Sequence, residues 1–189
     1  MVAEFERRRG VRIRQVYFDA DDLRDDYMIK TEEEGYDLVV VAGYKLDQYR
    51  RYGLLARVDE AAVPNLHHID PRWRDAFPGT REYGAPYFWG TLGIAYREDL
   101  LTQVPTRWMD LFRPPPEAHG RIAMIEDATD VIGMALKALG YSVNETRPEA
   151  LKAVEALLQS FKPHVRSWRH IDLGPDSPMV RGEVAMAMV

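Results

Sequence analysis

Three carboxylates follow one short apolar run. In "RIAMIEDATDVIGMALKALGYS" (Arg121–Ser142), Glu126, Asp127 and Asp130 stand between "RIAMI" and "DVIGMALKALG". The first phrase reads as a buried strand, the second as a helix with Ile132, Ala135, Leu136 and Leu139 at helical spacing. Acids at a helix start cap its unpaired N–H groups and complement its dipole, contributing about 1 kcal/mol. They also lie at the carboxyl end of a strand, where α/β folds bind ligands. There, the pair Asp127 and Asp130 can accept the three donors of an ammonium group. Spacing alone leaves both readings open, a helix cap or a cation site.

Tyr44 has the same placement, directly after the apolar run "YDLVVVAG". An aromatic ring there can cover a methylene chain or face a cation, or it can pack locally. In "YFW" (Tyr87, Phe88, Trp89) strand alternation turns at least two rings into the core, with Trp89 the candidate to meet a ligand. His67 and His68 are adjacent, so a regular element cannot aim both at one metal, and no spaced partner completes a ligand set. They read as a solvated loop, and "ERRR" (Glu6–Arg9) as a solvated helix end. No G-x-S-x-G, P-loop, dinucleotide fingerprint or Ser/His/Asp set stands out, so neither catalysis nor a cofactor is expected. With 0 cysteines, disulfides, thiolate metal sites and cysteine nucleophiles are excluded.

The elements that position these residues alternate. "VAEFERRRG" reads as helical turns closed by Gly10, "VRIRQVYF" (Val11–Phe18) as a strand, and Asp19–Gly35 as a polar helix. A buried strand over Leu38–Val41 and a helix "YKLDQYRRYG" ended by Gly53 follow. This β-α-β-α order predicts an α/β fold with parallel strands. After a Pro/Gly-punctuated middle, "APYFWGTLGIAYRED" is extended, and the segment near Tyr87–Tyr96 leads into a second series. That series has a short helix stopped by Pro114–Pro116, strands at Arg121–Ile125 and Val184–Val189, and a possible strand in "HVRSW". Thr146 and Glu149 form a capping-box pattern ahead of a helix carrying Leu151, Val154, Leu157, Leu158 and Phe161 on one face.

The 189 residues are 46% apolar and 29% charged, an ordinary globular mix. A net charge of −5 argues against nucleic acid as a partner. No apolar run reaches the roughly 20 residues that span a bilayer, and the first ten residues carry no signal-peptide stretch.

Four phrases in order resemble the spermidine/putrescine-binding periplasmic proteins of ABC importers: "YDLVVVAGYKLDQYRRYGLLARVD", "YGAPYFWGTLGIAYRED", "RWMDLFRPPPEAHGRIAMIEDATDVIGMALKALGYS" and "VRGEVAMAMV". The resemblance runs from about Gly35 to Val189. It implies a two-lobed, type II periplasmic-binding-protein-like α/β fold lacking the first strand and the C-terminal elements. The lobes would cover residues 1–97 and 98–189. It further implies a non-catalytic, extracytoplasmic solute-binding protein taking a polyamine or related cationic amine. The partner would be an ABC permease, or a fused signalling domain of the diguanylate cyclase or kinase type if the fold serves as a sensor. Asp127 matches an aspartate that binds a ligand amino group, and Tyr44 a cleft tyrosine. Two positions depart from the family pattern. Ala42 replaces a serine, and Asp130 stands where a glutamate, one methylene longer, is common. A sheet without its first strand exposes an unpaired edge, so a homo-oligomer or exchange of elements with a second copy is expected.

Overall fold

The computed structural model describes residues 2–18, 21–30, 36–172 and 174–189. The chain divides into two compact units, Met1–Trp89 and Gly90–Val189.

In the first unit, helices α1 (Val2–Arg9) and α2 (Asp21–Lys30) precede a 3-10 turn at Gly43–Lys45 that runs into α3 (Leu46–Arg51). Short helices α4 (Pro71–Arg74) and α5 (Thr80–Tyr83) complete it. α1 and α3 run into left-handed Gly10 and Gly53, as the sequence predicts. Asp70 caps α4 by accepting the Arg72 N–H at 2.9 Å. Of the polar helix expected over Asp19–Gly35, residues 19–20 and 31–35 lie outside the described residues.

Two expected strands are corrected here. Neither Val11–Phe18 nor Leu38–Val41 is a strand. A strand exists only through the ladder it shares, and neither segment finds a ladder partner among the described residues. The second keeps the alternation of an extended chain, with Val39 and Val41 less exposed than Leu38 and Val40 on either side. Leu38 is 90% exposed, so its face has no covering layer.

The second unit holds a four-stranded sheet: β1 (Ile94–Tyr96), β2 (Ile122–Met124), β3 (Val165–Trp168) and β4 (Met186–Met188), ordered β1-β4-β2-β3. β2 is parallel to both β3 and β4. The expectation of a purely parallel layer is corrected at one edge, where β1 pairs antiparallel with β4, Ile94 opposite Met188.

Strand alternation assigns the faces of β2 and β4. Ile122, Met124, Met186 and Met188 enter the main core with Leu111 and Phe112 of α6 (Trp108–Phe112), Leu136 of α7 (Ala128–Ala138) and Phe161 of α8 (Pro148–Phe161). Ala123 and Ala187 face a smaller cluster with Ile171, Met179 and Val184. Phe112 and Phe161 meet edge-to-face at 5.2 Å.

Both long helices sit rotated slightly from the predicted faces. Val131 rather than Ile132 is buried in α7, and Ala150 rather than Leu151 in α8. In each case the chosen residue lies four positions before another buried one, Ala135 or Val154, which keeps a single stripe against the sheet. The Thr146/Glu149 capping box does not form. Arg147 is the N-cap and Pro148 begins the helix. Ahead of the helix, the Glu145 carboxylate accepts the N–H groups of Thr146 and Arg147 and so ties down the chain that enters it.

Candidate ligand-binding site

β2 ends at Met124, and its chain emerges through buried Ile125 and exposed Glu126 onto the first turn of α7. Asp127 is the N-cap, in extended conformation, and its Oδ1 accepts the Asp130 N–H at 3.0 Å. The capping reading is therefore correct for Asp127. It does not exclude the other, because a carboxylate offers about four lone-pair sites and the cap hydrogen bond uses one.

Asp130, three residues on, is exposed enough to meet solvent yet partly desolvated beside it. Burial, and then the charge of Asp127, push its carboxyl above the usual aspartate range, with no cation offsetting them among the described residues. Every other carboxylate with a displaced pKa among the described residues moves down. Asp47, Asp75, Asp99, Glu145 and Glu183 lie beside arginines, Asp110 and Glu117 accept backbone and side-chain donors, and Asp25 is held by a network described below.

The raised pKa has a stability consequence. Folded Asp130 holds its proton more tightly than the unfolded chain does, so its contribution to stability falls as pH rises from 3.8 through the folded value. Asp130→Asn removes that dependence. Relative to wild type, the variant is expected to gain about 0.5 kcal/mol between pH 3 and pH 7, the scale of a partly solvated charge interaction. Urea melts of both proteins at the two pH values measure it, and parallel stabilities would refute the raised pKa.

Tyr44 and Trp89 belong to the first unit. Tyr44 occupies the 3-10 turn at Gly43–Lys45 and is 40% exposed. The chain on either side of it is tied down. Gly43 lies so close under the Phe77 ring that a Cβ there would collide with the ring carbons. Lys45 reaches inward, its Nζ donating to Asp25 Oδ2 at 2.8 Å.

Asp25 centres a buried network that the sequence did not reveal. Its Oδ1 accepts the Tyr49 hydroxyl at 2.5 Å and Arg24 Nη2 at 3.0 Å. Arg24 also donates to the Tyr49 hydroxyl at 3.1 Å and to the Val40 carbonyl at 3.4 Å. Burial alone would raise the Asp25 pKa, but the donors Lys45, Tyr49 and Arg24 outweigh it and hold the carboxyl below its usual range. Among the aspartates of "DADDLRDD", nothing in composition or spacing marks this one as buried.

Trp89 is 61% exposed and stacks on Trp73 of α4, centroids 4.9 Å apart, with the Arg72 guanidinium over Trp73 at 4.8 Å. The expectation that two of the "YFW" rings turn into the core is corrected, since Tyr87 and Phe88 are also exposed. That segment is not a strand, so strand alternation does not govern it. His67 and His68 are exposed, as read. The structure thus brings Asp127 and Asp130 together on one turn, and places Tyr44 and Trp89 in a different unit.

Comparison with known proteins adds four findings. The family described as bacterial extracellular solute-binding protein matches residues 1–189. The spermidine/putrescine-binding periplasmic protein of Salmonella typhimurium is 31% identical over 193 residues, covering 100% of this chain and 54% of its own length. The norspermidine sensor of Vibrio cholerae is 30% identical over 171 residues, covering 90% of this chain and 46% of its own. Among solved structures, the TpPotD lipoprotein of Treponema pallidum superposes with a TM-score of 0.85 at 26% identity, over 99% of this chain and 58% of that one. The chain spans about half the length of the curated relatives it matches.

Proposed function

Because the chain belongs to the bacterial extracellular solute-binding protein family, we propose that the first turn of α7 receives an ammonium group of a polyamine, outside the cytoplasm. The observation that supports this reading is the Asp127–Asp130 pair itself. Burial, and then the charge of Asp127, disfavour ionised Asp130, and a bound cation offsets both as a proton otherwise would. Binding lowers the Asp130 pKa, so affinity strengthens as pH rises through its titration. In the first unit, Tyr44 and Trp89 are exposed rings of the kind that can cover the methylenes of an amine. Asp130 is one methylene shorter than glutamate, which favours a ligand amine seated closer to the helix start. No chemistry on the ligand is required.

Two downstream roles fit such a binder: delivery to an ABC permease, or input to a signalling protein. The relatives include both a periplasmic binding protein and a sensor. A permease and ATPase encoded beside the gene favour delivery, whereas a signalling domain in the same product favours sensing.

Thermal melting with spermidine, putrescine, a neutral amino acid and Mg²⁺ at constant ionic strength tests the ligand. At about a hundred times its Kd a ligand adds about 2.7 kcal/mol, which for a protein of this size raises Tm by roughly 5–10 °C. An equal shift with Mg²⁺, or none with either polyamine, would overturn the reading.

A further inference from the structure

The buried network around Asp25 has no part in the ligand contacts proposed above, yet it grips the residue next to Tyr44. The 3-10 turn carrying Tyr44 has little rigidity of its own. It is three residues long, its N-cap Ala42 supplies no side-chain cap, and it is closed by the Lys45 N–H to the Ala42 carbonyl at 2.9 Å. Both flanking residues restrain it. On one side Gly43 is wedged beneath Phe77, and on the other the Lys45 side chain is anchored to a carboxylate 9% exposed. That carboxylate is fixed by Arg24 of the same helix and by Tyr49 of α3, which is fully buried. Arg24 extends the grip to the Val40 carbonyl, upstream of the turn. One carboxylate thereby joins α2, the segment entering the turn, the turn and α3.

We propose that Lys45, through Asp25, is a positioning residue that holds the Tyr44 ring in a single exposed orientation. Its consequence for ligand affinity rests on the polyamine reading of Tyr44, but its consequence for the ring does not. An aromatic held in place has less freedom to lose on binding. Lys45→Met keeps the stem and removes the ammonium. Asp25 keeps Arg24 and Tyr49, so the fold survives.

The experiment uses protein with ¹³C-labelled tyrosine rings, the Tyr44 signal being assigned by its loss in Tyr44→Phe. In the absence of ligand, Lys45→Met is expected to move or broaden the Tyr44 signal, and Lys45→Arg to return it most of the way. Lys30→Met, which breaks the exposed Lys30–Asp26 pair on α2, serves as the control and leaves the signal in place. Spermidine Kd is expected to rise about fivefold in Lys45→Met, with no further rise when Lys45→Met is added to Tyr44→Ala, because the two act as one unit. A Tyr44 signal unmoved by Lys45→Met, or Kd effects that add fully, overturns the positioning role. If the signal moves while spermidine fails to bind wild type, the positioning role stands and the polyamine reading falls.

Discussion

Replacing Asp127 by Asn is expected to leave the protein folded and to weaken polyamine binding tenfold or more. Asn and Asp rank alike as N-caps, so the carbonyl oxygen of Asn can still accept the Asp130 N–H that Asp127 accepts at 3.0 Å. The lost charge removes a favourable interaction with the α7 dipole, typically about 0.3–1 kcal/mol. It also removes the repulsion that adds to burial in raising the Asp130 pKa, and this offsets part of that loss. Ligand-free Tm therefore moves little. A charge-assisted hydrogen bond is worth about 1.5–3 kcal/mol, and its loss from the complex is at least one order of magnitude in Kd. Melting wild type and Asp127→Asn with and without spermidine separates the roles. Equal ligand-induced shifts would leave Asp127 as a helix cap alone.

Asp25→Ala is expected to destabilise the protein far more than any change at the α7 start. It takes the shared carboxylate away from Arg24, from Lys45 and from the fully buried Tyr49 hydroxyl. Removing one partner of a buried ion pair is destabilising by about 3–5 kcal/mol, because the remaining charge keeps its desolvation penalty. Against a typical total of about 5–15 kcal/mol, that is enough to unfold the first unit locally. Hydrogen exchange resolved by residue measures it. Amides of α2 and α3 should lose protection, while Ile122, Ala123 and Met124 in β2 keep theirs. Retained protection in α3 would show that the network is dispensable. The wild-type contribution is pH-dependent with a definite sign. Since the folded pKa of Asp25 is depressed, the stabilisation is fully present above 3.8 and disappears as pH falls through the folded value.

The second unit was largely legible in the sequence because its signals are local and redundant. "RIAMI", "DVIGMALKALG" and "EVAMAMV" are each apolar in the period of the element they form, and each is buried as that period requires. What spacing could not give was the direction of β1, which depends on a partner far along the chain. In the first unit, Val11–Phe18 and Leu38–Val41 have strand composition but no ladder, and composition cannot supply a neighbour. The two acids at the α7 start were visible because their types and position are both unusual. The Asp25 network was not. A buried aspartate and a solvated one look the same in a run of aspartates, and only the three-dimensional placement of Lys45 and Tyr49 tells them apart.

The order β1-β4-β2-β3 also dictates when the second unit can fold during synthesis. β4 joins β1 to β2, and it is the last of the four strands to leave the ribosome. At about 5–20 residues per second, roughly 5–20 s separate the synthesis of β1 from that of β4. Throughout that interval β1 has no partner, and one side of β2 is open, presenting Ile122 and Met124 as an unsatisfied edge. Pairing of strands so distant in sequence is intrinsically slow. Until β4 is made, the edges of β1 and β2 that it joins stay unpaired, and such edges leave a growing chain prone to pairing with other chains.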